Sequence, residues 1–151
     1  MITYKNIVNR FEKFVTDHAF LKTFSHGSPS AVDLDKFEIY PLLHLVYTGA
    51  TYDTNQKVYS FEVYIFDSPP SKTDKIAYQT EVISDAELVA EDILADMRTG
   101  GNVFTFDYNY VVTSASTTPL EETQSNVLAG ILLDISIGVG YDHASCDTPL
   151  T

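Results

Sequence analysis

From Thr3 to His18 apolar side chains recur at spacings of three and four: Tyr4, Ile7, Val8, Phe11, Phe14 and Val15. Lys5, Asn9, Glu12, Lys13, Thr16 and Asp17 fall on the other side. That period predicts an amphipathic helix. Phe20 to Phe24 reads as a short extended piece, and Ser25-His26-Gly27-Ser28-Pro29-Ser30 as the loop that ends it. The middle of the chain then changes period. Phe37 to Thr48 and Val58 to Asp67 predict the two arms of a hairpin, joined by polar residues from Gly49 to Gln56. In the second arm Tyr59, Phe61, Val63 and Ile65 make a wholly apolar face, which turns Glu62 outward. Pro41 makes the first arm an edge, a bulge or a strand start, and Ser68-Pro69-Pro70-Ser71 stops the second.

Helical spacing returns from Thr73 or Asp74 to Arg98, with Ile76, Val82, Ile83, Ala86, Val89, Ala90, Ile93, Leu94 and Met97 on one face. Gly100-Gly101 ends it, and Arg98 stands where the helix dipole favours a cation. Ser84 and Glu87 also fit a capping box, which leaves a start near Asp85 open. One long element is the preferred reading. Two more extended runs follow, Val103 to Ser114 and Val127 to Tyr141, with Thr117 to Glu122 between them. The last run alternates: Ile131, Leu133, Ile135, Ile137 and Val139 against Leu132, Asp134, Ser136, Gly138 and Gly140. That is a half-buried antiparallel strand. Residues 142–151 read as a flexible polar tail.

The order α-β-β-α-β-β predicts a single α+β domain over residues 1–151. Its sheet is expected to be antiparallel or mixed, of about four to five strands, with two main helices on one face and hairpin or loop arms. The expected core is Phe11, Phe14, Phe61, Val63, Ile65, Ile93, Leu94, Leu133, Ile135 and Ile137.

Composition narrows what such a domain can do. A chain of 151 residues buries a sufficient core without disulfides, and a lone cysteine, Cys146, excludes an intramolecular one. Nine basic against 21 acidic residues leave a net charge of −12. Such a chain repels polyphosphate, so no specific nucleic-acid binding is expected. No apolar run approaches the ~20 residues of a membrane helix, so no membrane partner is expected either.

Candidate chemistry is sparse. His143 and Cys146 lie three apart among Asp142 and Asp147, but zinc draws ligands from a second segment. His18, His26 and His44 are scattered over helix, loop and strand. Cys146 as a nucleophile would need a base and an orienting group, and a polar tail supplies neither. Asp33-Leu34-Asp35 lacks the glycine hinge and the distal glutamate of a calcium loop. Glu87 and Glu91 are like charges four apart on a helix's polar face, where a glycosidase pair would sit in a cleft. Thr99-Gly100-Gly101-Asn102 is a helix stop and not a phosphate cradle. No catalytic residue, cofactor or metal is expected.

The succession of segments carries a resemblance. Ile7-Val8-Asn9-Arg10-Phe11-Glu12-Lys13-Phe14-Val15 leads into Phe24-Ser25-His26-Gly27. Tyr40-Pro41-Leu42-Leu43-His44-Leu45-Val46 and Tyr59 to Asp67 follow, then Thr80-Glu81-Val82-Ile83-Ser84-Asp85, and the chain closes on Cys146-Asp147-Thr148-Pro149. This order resembles the small neck and tail-completion proteins of tailed bacteriophages, the tail-terminator-like group. The resemblance implies a structural virion protein and not an enzyme. It implies a homo-oligomeric ring, a hexamer or a dodecamer, at the head–tail junction around the DNA passage. Partners would be tail-tube, neck or portal-connector proteins, assembled in the host cytoplasm. The alternative from another class is a small ligand-binding domain or small enzyme, using a pocket between helices and sheet. If a ring forms, an acidic lumen keeps a passing phosphate backbone from sticking. Asp85, Glu87, Glu91, Asp92, Asp96, Glu121 and Glu122 are the expected lumen or exposed acidic face. The hairpin from Phe37 to Asp67 and the stretch from Thr113 to Asn126 are the expected arms for neighbours to pair with.

Overall fold

A computed structural model describes residues 2–28, 40–67, 75–99, 101–106, 108–120 and 129–140. Asp33, Asp35, Glu121, Glu122, His143, Cys146 and the 142–151 tail lie outside them. Among the described residues two helices, α1 (Tyr4–Asp17) and α2 (Lys75–Arg98), accompany five strands. The strands are β1 (Thr23–His26), β2 (Leu42–Tyr52), β3 (Gln56–Asp67), β4 (Tyr110–Leu120) and β5 (Ala129–Gly140). They form one mixed sheet in the order β1-β2-β3-β5-β4. Only β1 and β2 run parallel; the other three pairings are antiparallel. This is the expected α+β domain.

Thr3 starts α1 with a capping box: its hydroxyl accepts the Asn6 N–H at 3.2 Å, and the Asn6 side chain accepts the Thr3 N–H at 2.9 Å. Ile7, Val8, Phe11, Phe14 and Val15 are its buried stripe. They meet the alternating faces of β3 and β5 in one core, which Val89, Ala90 and Ile93 of α2 close. The rings interlock: Phe11 and Phe104 stand edge to face at 4.9 Å, and Tyr47 and Phe61 lie tilted by 35° at 5.3 Å. Of the ten expected core residues only Leu94 is not fully buried, and it packs against the cluster.

Four boundaries differ from the sequence reading, each for a local reason. Ser25 and His26 belong to β1, paired with His44 and Leu45. The β2 strand runs on to Tyr52, because the register shifts between Tyr47 and Gly49 while Gly49 takes a φ of 137°. The turn shrinks to Asp53–Asn55, where the Asp53 N–H donates to the Gln56 carbonyl at 2.7 Å. Ser84 lies inside α2 and donates to the Thr80 carbonyl at 2.8 Å, so it is not a cap. The fourth difference is the largest. Val103 to Phe106 is not strand, and β4 begins at Tyr110 and runs through Thr117 to Leu120.

Asp96 explains that shift. Its carboxylate accepts the backbone N–H groups of Asn102 at 3.0 Å, Val103 at 3.3 Å and Phe104 at 2.7 Å. A loop whose donors are taken by a side chain has none left for a ladder. Tyr110 closes the same loop by donating to the Phe104 carbonyl at 2.6 Å, and burial and then Asp96 push its pKa up to about 12. Asp96→Ala strands these N–H groups beside the buried Phe104. It is expected to destabilise the fold by about 1–3 kcal/mol in urea unfolding. A loss under about 0.5 kcal/mol would contradict this role.

His44 is the buried polar side chain of the core's margin. Its ring lies between Ser25 Oγ, 2.7 Å from Nδ1, and the Ser28 carbonyl, 3.1 Å from Nε2. The carbonyl only accepts, so Nε2 carries the proton and Ser25 donates to Nδ1. Burial holds the pKa below the ordinary 6.5; the Ser28 carbonyl opposes that shift, and His26 adds to it. With a depressed folded-state pKa, stability is intact above pH 6.5 and falls below it, as the unfolded chain takes up a proton the folded one refuses. The midpoint of its imidazole NMR titration is expected below pH 6.5. A midpoint at or above that value would contradict the neutral, buried ring.

Candidate assembly surface

The edge strand β4 is built from Tyr-Val-Val-Thr-Ser-Ala-Ser-Thr-Thr-Pro-Leu and carries no charge over its 11 residues. It bonds to β5 on one side and, among the described residues, has no neighbouring strand on the other. Edges are normally protected by shortness, lysines or other inward charges. The opposite edge, β1, has four residues and is protected by its length. Among the described residues the protection of β4 is limited to an extra residue at Thr113, between the Val112 and Ser114 pairings, and to Pro119 near its end.

In an antiparallel ladder, residues alternate between bonding the neighbour and pointing both backbone groups away from it. Pro119 has no N–H to give β5 and suits an outward position. Alternation then puts Thr117 and Ala115, paired with Leu133 and Ile135, in the same outward set. Ser114, Ser116 and Thr118 are exposed, and Val111 at the strand's start is 53% exposed. The strand offers amides that no described strand pairs with, flanked by small uncharged side chains.

The acidic residues of α2 do not form one face. At about 100° per residue, Asp85, Asp92 and Asp96 share one flank of the helix, and Glu87 and Glu91 the other. Three of these five expected residues act within the chain. Asp96 holds the loop described above. Asp92 accepts from His18 Nε2 at 2.9 Å, while His18 Nδ1 accepts the Phe20 N–H at 3.1 Å, so the ring ties the end of α1 to α2. Glu87 is half-buried and accepts from the Thr117 hydroxyl at 2.8 Å, which anchors α2 to the edge strand. Glu91 is exposed and Asp85 half-buried. Glu121 and Glu122 lie outside the described residues.

A second acidic group was not singled out from the sequence. Glu62 and Asp134 are directly opposite each other on β3 and β5, on the sheet face away from the helices. Tyr64 donates to Glu62 at 2.8 Å, and burial, the Glu62 hydrogen bond and nearby carboxylates push its pKa up to about 12. Burial and then the Glu62 charge raise the Asp134 pKa. The signal was present in the alternation, which turned both residues outward, but the β3–β5 pairing that joins them is not readable from spacing.

No family model and no curated protein matches the chain. The surface therefore has to be read from its own chemistry. Among the described residues no group of three or more His, Cys, Asp or Glu could hold a metal ion. No described helix is long and apolar enough to cross a membrane. Between helices and sheet the space is filled by Phe11, Phe61 and Phe104, each at most 1% exposed.

Proposed function

We propose that this chain is a structural subunit of a tailed phage virion, a tail-terminator, tail-completion or neck protein that closes into a ring at the head–tail junction. The observation that carries this reading is the 11-residue uncharged edge of β4. Such an edge accepts a strand or arm from an adjacent copy, with backbone hydrogen bonds as the adhesive. A contact between two different surfaces of identical subunits closes into a ring when its rotation is right. The ring is a hexamer or dodecamer, with tail-tube, neck or portal proteins above and below it.

The net charge of −12 supports the same reading. Glu91 and Asp85 on α2, which have no partner among the described residues, are the described part of the expected acidic set available to line a DNA passage. Duplex DNA then slides through without specific binding. Negative-stain electron microscopy of the purified protein is expected to show closed rings with a central hole. Particles the size of single subunits at all concentrations would overturn the proposal and favour the small ligand-binding or enzyme reading.

A further inference from the structure

On the solvent side of α1 a cleft of about 430 Å³ opens among Asn6, Asn9, Arg10, Lys13, Phe106 and Tyr108. Among the described residues that line it, none bears a negative charge. Two of the nine cations stand here, three residues apart, where side chains of a helix are neighbours. The Arg10 guanidinium lies 5.8 Å over the Phe106 ring, which orients its fork of N–H donors. Among the described residues no carboxylate pairs with it. Asn6 has spent its carbonyl on the Thr3 N–H, so its amide N–H groups remain. Lys13 meets Asp17 at 2.7 Å, but both side chains are about half exposed (48% and 51%), and such a pair exchanges readily with another anion. The groups left to a ligand are therefore mainly donors, beside an aromatic wall whose Tyr108 is 58% exposed.

We infer that this cleft binds an anionic group, a carboxylate or phosphate monoester, carried on a flat apolar body. Arg10 and Lys13 take the anion, Asn6 and Asn9 add neutral donors, and Phe106 and Tyr108 face the body. The volume lies within the range that admits small ligands, roughly 300–1,000 Å³. The chemistry has two sources, a free small molecule or the carboxylate of an adjacent subunit. The site does not depend on the ring reading.

Phenyl phosphate titrated into the full chain, followed by backbone amide NMR with light scattering in parallel, tests it. Saturable shifts confined to α1 and the residues around Phe106 are expected, with inorganic phosphate binding more weakly. Arg10→Gln is expected to weaken binding roughly tenfold, as loss of a charge-assisted contact does. Lys13→Gln, at an exposed position, gives the same direction should Arg10→Gln disturb the fold. An unchanged particle mass identifies a free-ligand site; assemblies that dissociate on binding identify a neighbour's carboxylate as the natural occupant. Either keeps the anion site. Absence of saturation, shifts elsewhere, or wild-type affinity in both variants would overturn it. A protein that is monomeric throughout sinks the ring reading while the titration still decides the cleft.

Discussion

Ala115→Pro is expected to leave the subunit folded and to weaken its self-association by at least about a hundredfold. Position 115 belongs to the outward set of β4, so proline removes an amide that β5 does not use. It also places a ring where an incoming strand must lie. The loss corresponds to about 3 kcal/mol for each contact. Ser116→Lys is the milder companion, since Ser116 is exposed and an edge lysine blocks strand addition without touching the core. Sedimentation equilibrium checks both. Association unchanged in the proline variant, with the fold intact by circular dichroism, would mean that β4 is not the contact.

The second large effect lies in the core. Phe61→Ala is expected to cost about 3–5 kcal/mol, the range for a buried aromatic truncated where neighbours cannot collapse. Phe61 is 1% exposed and has four other rings around it, Tyr47 at 5.3 Å, Tyr4 at 6.1 Å, Tyr59 at 6.3 Å and Phe11 at 6.4 Å between centroids. It joins α1 to the sheet, so its loss loosens both layers. For a domain of this size a fall in Tm of about 10 °C or more follows. A fall under about 3 °C would place Phe61 outside the stabilising centre.

The layers were legible because period and burial agree. The β3 face Tyr59, Phe61, Val63 and Ile65 and the β5 face from Ile131 to Val139 are buried as their alternation requires. Helix α1 needed only its stripe, and its Thr3 cap emerges from the structure. What misled was the stretch after α2. Val103 to Phe106 has strand composition, and nothing in that composition reveals that a carboxylate seven residues back captures the Val103 N–H. Tertiary hydrogen bonding overrode local preference there.

The site was legible in part. The stretch from Thr113 to Asn126 was expected to serve neighbours as a loop, and its first eight residues, to Leu120, form the edge strand instead. The acidic set on α2 looked like one surface because charge in a sequence carries no direction. Helical rotation divides it into flanks, and His18, Thr117 and the Asn102–Phe104 amides engage three of its members. The Glu62–Asp134 pair needed the strand order, which depends on contacts far apart in the chain.

Two opposing terms follow from this picture of a ring. In the proposed ring, backbone pairing along β4 would draw subunits together and be insensitive to salt, while a net charge of −12 on each copy would push them apart. Raising salt from low values to about 0.15 M shortens the Debye length to about 8 Å and weakens the repulsion. Light scattering across such a salt series at fixed protein concentration is the direct measurement. The account predicts subunits and partial assemblies at low salt that convert to a discrete ring mass as salt rises. A ring complete at low salt that comes apart as salt rises would mean that ion pairs hold it, and would contradict the pairing of uncharged edges.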